Sequence, residues 1–502
     1  TANCRRDPPA PFDLVDRGTY RRRRLKRFKD DVRHGDVPSR EGRVDDDTGD
    51  HTDDHTRERD APRDGGRPAA RVPGHRRGRD SNYIEAGSII ALATSLTLWQ
   101  EHFGLSNLAV GLAAALSANA FGAAVGAMVG GPLGDRYGRK FIYTYDLLLY
   151  MLGTAFIVFA AAPWMLFVGI VLTGIAVGAG VPVAWTYIAE EAPDHQRARH
   201  VGTAQLAWSL GPFVGFVLAT ALVPLGLLGS RIVFAHLFVI AFVTWWVRRG
   251  LAESDVWKES NAKQIALGRR RRGFRELVSH PQNVKALLFL VGVYALWNTV
   301  AGQAGIFMPR VYQTAGVESA VAQNLLQVLV WGLTSAATFW GFMRYGDRVS
   351  RRLLYGLGAI LAVAAWMILA FVPHVSMPLL VTYAVLWGVS AGIGAQAFYA
   401  LWTAELFATA YRASAQGVLF FVARIAVGLL SYVFPTMLAE RGVPFVGGIM
   451  VALLVASLVI GVVWTPDTAG KSLKAIERER YGADLDDAGL DDAEPAAARR
   501  AT

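Results

Sequence analysis

Residues 131–140 read Gly-Pro-Leu-Gly-Asp-Arg-Tyr-Gly-Arg-Lys, a charged turn wedged between two apolar runs that are each long enough to cross a membrane. Asp135, Arg136, Arg139 and Lys140 are too costly to carry into hydrocarbon, so the turn marks where the membrane ends. Gly131, Gly134 and Gly138 let two helices approach and reverse within a few residues, and the basic side chains mark the cytoplasmic side. Gly346-Asp347-Arg348-Val349-Ser350-Arg351-Arg352 repeats the turn in the second half of the chain, as expected of two related halves with six helices each.

With 502 residues, 53% of them hydrophobic and only 18% charged, the chain is too apolar for a soluble protein of its size. Apolar spans are expected at 83–103, 106–130, 141–161, 164–189, 201–223 and 228–247, then at 284–308, 320–343, 353–372, 378–403, 414–438 and 445–465. Residues 81–247 then form an amino-terminal six-helix bundle and 284–465 a carboxy-terminal one. A polar linker at 248–283, with Arg269-Arg270-Arg271-Arg272, joins them, and a polar tail follows at 466–502. Arginine-rich loops alternate with loops holding at most one basic residue, which puts both termini in the cytoplasm.

Residues 1–80 are rich in charge, carry Arg21-Arg22-Arg23-Arg24-Leu25-Lys26-Arg27 and lack apolar periodicity, so they are expected to be disordered. Their Arg, Asp, Gly, Pro and His content, with Lys almost absent and Thr1 in first place, fits a GC-rich gene read in the wrong frame. A basic arm for nucleic acid or lipid is the weaker reading, because interleaved acidic residues oppose phosphate binding. The single cysteine, Cys4, forms no intramolecular disulfide, and no Cys/His cluster has metal-ligand spacing. No cleavable signal peptide is expected, nor is there a nucleophile-base-acid set or phosphate-cradling loop of the kind an enzyme needs.

The turn at 131–140 resembles the signature loop of the major facilitator superfamily, and shorter motifs are similar to its sugar porter branch. Tyr187-Ile188-Ala189-Glu190-Glu191-Ala192-Pro193 with Arg197 follows Gly174, Gly178 and Gly180. In the second half, Trp402-Thr403-Ala404-Glu405-Leu406-Phe407-Ala408 with Arg412 follows Gly388, Gly392 and Gly394, Ala408 standing where that branch has proline. Glu253-Ser254 with Trp257, and Pro466-Asp467-Thr468-Ala469-Gly470-Lys471-Ser472-Leu473, extend the likeness over residues 81–476. The resemblance implies an all-α integral membrane protein with twelve transmembrane helices in two pseudo-symmetric six-helix bundles. It also implies a cytoplasmic latch made of Asp135, Arg136, Arg139, Glu190 and Arg197 from one half and Asp347, Arg348, Glu405 and Arg412 from the other. Single exposed pairs contribute about 0 to 1 kcal/mol, so only a network of them biases one state over another.

Glu85-Ala86-Gly87 resembles the Asp-x-Gly of the first sugar porter helix, whose acid takes up the coupled proton. An apolar setting favours the neutral form of such an acid. Arg71 to Asp80 precede it where apolar residues are expected, so either the first half of this span is missing or Glu85 sits solvated at the interface. The family's partner arginine on helix 4 is Ile170 here, whereas Arg424 lies deep in span 11 and needs an anion, either a side chain or the substrate's own carboxylate, with pairing to backbone carbonyls or snorkelling as the weaker reading. Gln205, with Gly211, matches the glutamine that binds sugar hydroxyls. Span 7 departs from the family: its paired glutamines fall on Leu296 and Trp297. Trp297, Asn298, Gln303 and, in span 10, Gln396 are the candidate solute contacts, each polar one serving equally as an interhelical hydrogen bond worth about 0.6 kcal/mol.

These features lead to the expectation of a monomeric secondary transporter in the cell membrane, moving a sugar, polyol or small organic acid by alternating access. Symport would be driven by a proton gradient, with Glu85 and Arg424 coupling the proton and no cofactor or nucleic-acid partner. An uncoupled facilitator and a transporter-like solute sensor are the alternatives.

Overall fold

The structure, a computed structural model, describes residues 74–137, 139–190, 197–248 and 274–482. Most of the charged segment at 1–80, most of the linker and the end of the tail lie outside the described residues, as do the side chains of Asp135, Arg136, Arg139 and Glu190. The described residues belong to one compact unit, Ala70–Thr502. They contain no strand, as expected where no water is available to satisfy an open sheet edge.

The first six spans are α1 (Gly74–Phe103), α2 (Asn107–Leu116 and Phe121–Tyr137), α3 (Arg139–Val158), α4 (Pro163–Glu190), α5 (Arg197–Leu222) and α6 (Leu227–Arg248). In the second half α7 runs through Pro281–Leu290, Val291–Ala295 and Leu296–Thr314, and α8 through Ala320–Ala336, Ala337–Phe342 and Met343–Tyr345. They are followed by α9 (Arg351–Phe371) and α10 (Met377–Ile393 and Ala395–Leu406). The last segment, Thr409–Val463, divides into α11 and α12 at Gly442, whose φ of 76° only glycine adopts without strain. Large side chains such as Leu288, Trp340 and Phe371 are exposed on the outer surface, which suits a chain solvated by lipid.

Two spans are interrupted where their backbone faces the interior. α10 breaks at Gly394, and α2 breaks between Leu116 and Phe121 without any glycine or proline. At the second break Ser117 turns to an extended ψ of −179°. Its hydroxyl donates to the Ala114 carbonyl (2.8 Å) and accepts from the Asn119 amide (3.1 Å), replacing the lost helical bonds.

Close packing of small residues seats α2 on α4. Gly122, Gly126 and Gly130 recur at every fourth position opposite Gly174 and Gly178, so the backbones nearly touch. Across the halves, Gly111 of α2 lies against the Tyr432 carbonyl of α11, and α5 meets α8 through a Ser209–Ser335 hydrogen bond of 2.8 Å. A Cβ on Gly126 would lie 2.1 Å from the Ile175 carbonyl oxygen, whereas one on Gly448 meets nothing within 4 Å. Gly126→Val is therefore expected to cost about 1–3 kcal/mol and lower the melting temperature in detergent, with Gly448→Ala close to wild type; equal melting temperatures would contradict the packing.

Candidate functional site

At the middle of the bundle Glu85 of α1 and Arg424 of α11 are both almost fully buried, and Arg424 Nη2 donates to Glu85 Oε1. Glu85 is thus buried and ion-paired rather than solvated. Arg424 Nη1 also donates to the Asn119 carbonyl oxygen (3.1 Å) and to Asn119 Oδ1 (3.0 Å), and its guanidinium carbon lies 4.5 Å from the Phe420 ring centroid. A buried ion pair of this kind adds little net stability, but removing one partner leaves an uncompensated charge, which typically costs about 3–5 kcal/mol.

Beside the pair is a cavity lined by Trp208, Trp297, Trp331, Asn119, Asn298 and Arg424 together with small and aliphatic residues of α1, α5 and α7. Its volume of about 20 Å³ admits only a water or two, so the site is collapsed around its centre in this conformation. Aromatic walls with a few convergent polar groups are the general make-up of a small-molecule site. Asn298 Oδ1 and Trp331 Nε1 are buried without a protein partner.

Of the five side chains expected to contact solute, Trp297 and Asn298 line this cavity, while Gln205, Gln303 and Gln396 do not. The Gln303 amide is spent on α11, donating to the Val427 carbonyl (3.2 Å) and accepting from Ser431 (3.2 Å). Gln205 is buried in α5 with its Oε1 unpartnered, and Gln396 follows the break in α10. Sequence reasoning missed Trp208, Trp331 and Asn119. For Asn119 the available signal was an amide inside an otherwise apolar run.

Toward the arginine-rich turns a second network joins the halves. Glu405 of α10 accepts from Arg197 of α5 (2.8 Å) and from both Nη1 and Nη2 of Arg351 of α9, the latter at 2.9 Å; all three side chains are buried. Asp347 accepts from the Ala198 and Arg199 amides (3.0 and 3.2 Å), placing a carboxylate on the unsatisfied, partly positive first turn of α5. Arg412 is buried and donates to the Phe407 carbonyl (3.3 Å), while Arg348 is exposed and takes no part in the network. Arg351 was not among the expected latch residues, although the internal repeat pairs it with Arg139.

The helix Leu473–Tyr481 packs beneath this network. Its Tyr481 hydroxyl donates to Asn283 Oδ1, and burial pushes that phenol above its ordinary value, keeping it a donor. At the opposite end of the bundle Arg310 of α7 donates to Gln100 of α1, whose amide in turn donates to Asn107 Oδ1 (3.0 Å).

The sequence profile of the Major Facilitator Superfamily matches residues 83–401. The chain belongs to that superfamily. It is accordingly a multi-pass membrane transporter of small solutes with the twelve-helix fold, and the sugar porter-like resemblance stands. It is similar to the minor myo-inositol transporter IolF of Bacillus subtilis, 42% identical over 407 residues that cover 80% of this chain and 92% of the relative. It is also similar to the quinate permease of Emericella nidulans, 26% identical over 68% of this chain and 74% of the relative. Among solved structures the proton:xylose symporter XylE bound to 6-bromo-6-deoxy-D-glucose superposes with a TM-score of 0.68 at 19% identity, covering 81% of this chain and 98% of XylE.

The Glu405 network ties α5 of one half to α9 and α10 of the other at the arginine-rich face, so its loss is expected to favour opening there. Glu405→Gln removes the carboxylate that Arg197 and Arg351 share, and each 1.4 kcal/mol lost by the closed state alone shifts its population about tenfold. Arg199 and Arg352 are exposed on opposite halves at this face, so spin labels attached through Arg199→Cys and Arg352→Cys, in a Cys4→Ser background, report its opening. The label-to-label distances should lengthen when Glu405→Gln is added. Identical distance distributions would remove the latch role.

Proposed function

We propose that this chain is a proton-coupled symporter for a cyclic polyol or a sugar, with myo-inositol as the first solute to test. The observation that carries the coupling is the buried Glu85–Arg424 pair, which ties the two halves at the centre of the bundle. Guanidinium groups are not deprotonated in proteins, so the change open to such a pair is protonation of its carboxylate, and protonation of Glu85 dissolves the ion pair between the halves. The polyol assignment is supported by the likeness to the myo-inositol transporter and by an aromatic cavity with unpartnered amide and indole groups. In this reading the arginine-rich face is cytoplasmic, both termini are cytoplasmic, and the monomer is the working unit in the cell membrane. The proton gradient takes the place of a cofactor.

A small carboxylic acid is the second solute class. What favours it is Arg424 itself, which on release from Glu85 offers a forked cation to a solute carboxylate, and the 26% identity to a quinate permease. Uptake into proteoliposomes with an imposed pH gradient, acid outside, distinguishes these readings when labelled myo-inositol and quinate are compared. Wild type is expected to accumulate myo-inositol above equilibrium. Glu85→Gln mimics the protonated state, so it should lose uphill accumulation, a drop of at least about tenfold, while still exchanging solute across the membrane. Uphill accumulation by Glu85→Gln would remove Glu85 from the coupling, and equilibration of solute by wild type with no dependence on the gradient would indicate a facilitator.

A further inference from the structure

Arg424 poses a problem that the ion pair alone does not solve. Whenever Glu85 is protonated, a permanent cation is left at the centre of a membrane protein, and such a charge needs other acceptors. The break in α2 supplies them. Because the helix is interrupted between Leu116 and Phe121, the Asn119 carbonyl is freed from the ladder, and it and Asn119 Oδ1 both face Arg424 Nη1, at 3.1 and 3.0 Å. The remaining groups of Asn119 are fixed: its amide N–H is held by Ser117 Oγ (3.1 Å) and its Nδ2 donates to the Gly302 carbonyl of α7 (3.0 Å). The orientation of the side-chain amide is therefore set by α7, with its oxygen toward the cation. Discontinuous helices that present carbonyls to a buried charge are a recurring device of transporters.

We propose that Asn119 is a positioning residue for proton coupling: with its freed carbonyl it forms a neutral second seat that keeps Arg424 satisfied while Glu85 is protonated, and so sets the pH at which Glu85 takes up its proton. This rests on the proton-symport reading above. The other groups packed around Glu85 do not supply that seat. Tyr294 and Tyr399 of α7 and α10 lie within electrostatic reach of the pair, but the hydrogen bonds of Arg424 go to Glu85 and Asn119 and not to these hydroxyls. From α6 His236 is engaged with Tyr83 (3.2 Å), and from α3 Tyr150 is engaged with Ser88 (2.7 Å), with Asp146 beside Tyr150 in a separate cavity. α5 brings Trp208, whose indole N–H donates and offers a guanidinium no acceptor.

Two substitutions at this position should move the pH dependence in opposite directions. Asn119→Ala removes the side-chain acceptor and leaves Arg424 only the freed carbonyl when Glu85 is protonated, so half-maximal myo-inositol uptake should shift to lower pH by about one unit, a tenfold rise in the proton concentration required. Asn119→Asp adds a second carboxylate beside the same cation, so one of the two acids protonates more readily and the midpoint should move to higher pH. The measurement is gradient-driven uptake into proteoliposomes across a pH series, each variant normalised to its own maximum. Superimposable profiles, or shifts of the same sign, would overturn the proposal while leaving wild-type symport intact. A wild type indifferent to the gradient would instead overturn the symport reading and this one with it. Should Asn119→Ala be too unstable to purify, Asn119→Asp decides alone, since a damaged fold lowers the maximum without moving the midpoint to higher pH.

Discussion

A guanidinium that cannot be neutralised, buried in a membrane, is the constraint on which the centre of this protein depends. Arg424 is held across the interface between the halves by Glu85 on α1 and two oxygens of Asn119 on α2, and it lies over the face of Phe420 on its own helix. Each of these partners requires something unusual of the backbone or sequence. Glu85 is an acid within an otherwise apolar stretch, and Asn119 requires that a transmembrane helix forgo its own hydrogen bonds for one turn. The aromatic cavity forms against this cluster, where three indoles and one further amide surround the guanidinium on its wall.

Above and below the centre the halves are joined by networks of different strength. Toward the arginine-rich turns, a buried carboxylate shared by two arginines is backed by a carboxylate capping α5 from the other half. At the opposite end the tie is one arginine on a glutamine, a charge-assisted bond to a neutral group, worth about 1.5–3 kcal/mol. An alternating-access cycle needs states that differ by only a few kcal/mol, and ties of this size meet that need where a large apolar interface would not. Glycine and serine contacts between α2 and α11 and between α5 and α8 leave the remaining interface able to slide or part.

Much of this was legible in the sequence because lipid imposes simple rules. The twelve spans follow from apolar length, and Arg197, Asp347 and Glu405 follow from motifs repeated in the two halves. Arg351 was legible by the same repeat, through its correspondence to Arg139. What could not be read was pairing across distance: nothing local joins Glu85 to a residue 339 positions away. The break in α2 was equally silent, since Ser117-Ala118-Asn119-Ala120 contains neither of the residues that usually interrupt a helix, and serine and asparagine hold the turn through side-chain hydrogen bonds that appear only once it is formed. Gln303 looked like a solute contact for the converse reason. An amide on the right helix carries no mark of whether it faces a cavity or a neighbouring backbone.

The position of the cation also separates this chain from the pattern it resembles. There the acid of helix 1 finds its arginine on helix 4, within one half; here that place is taken by Ile170, fully apolar and buried, and the arginine has moved to α11 in the other half. A pair contained in one half can alter the interface only indirectly, by changing the shape of the bundle that holds both partners. A pair that crosses the interface is itself part of the bond between the halves, so neutralising the acid weakens that bond at once. Yet a crossing pair has a cost that a contained pair avoids, because parting of the halves would strip the arginine of its anion and its acceptors together. The α2 break, reaching the arginine from the same half as Glu85 but without a titratable group, lets the carboxylate leave the pair before the halves have to part.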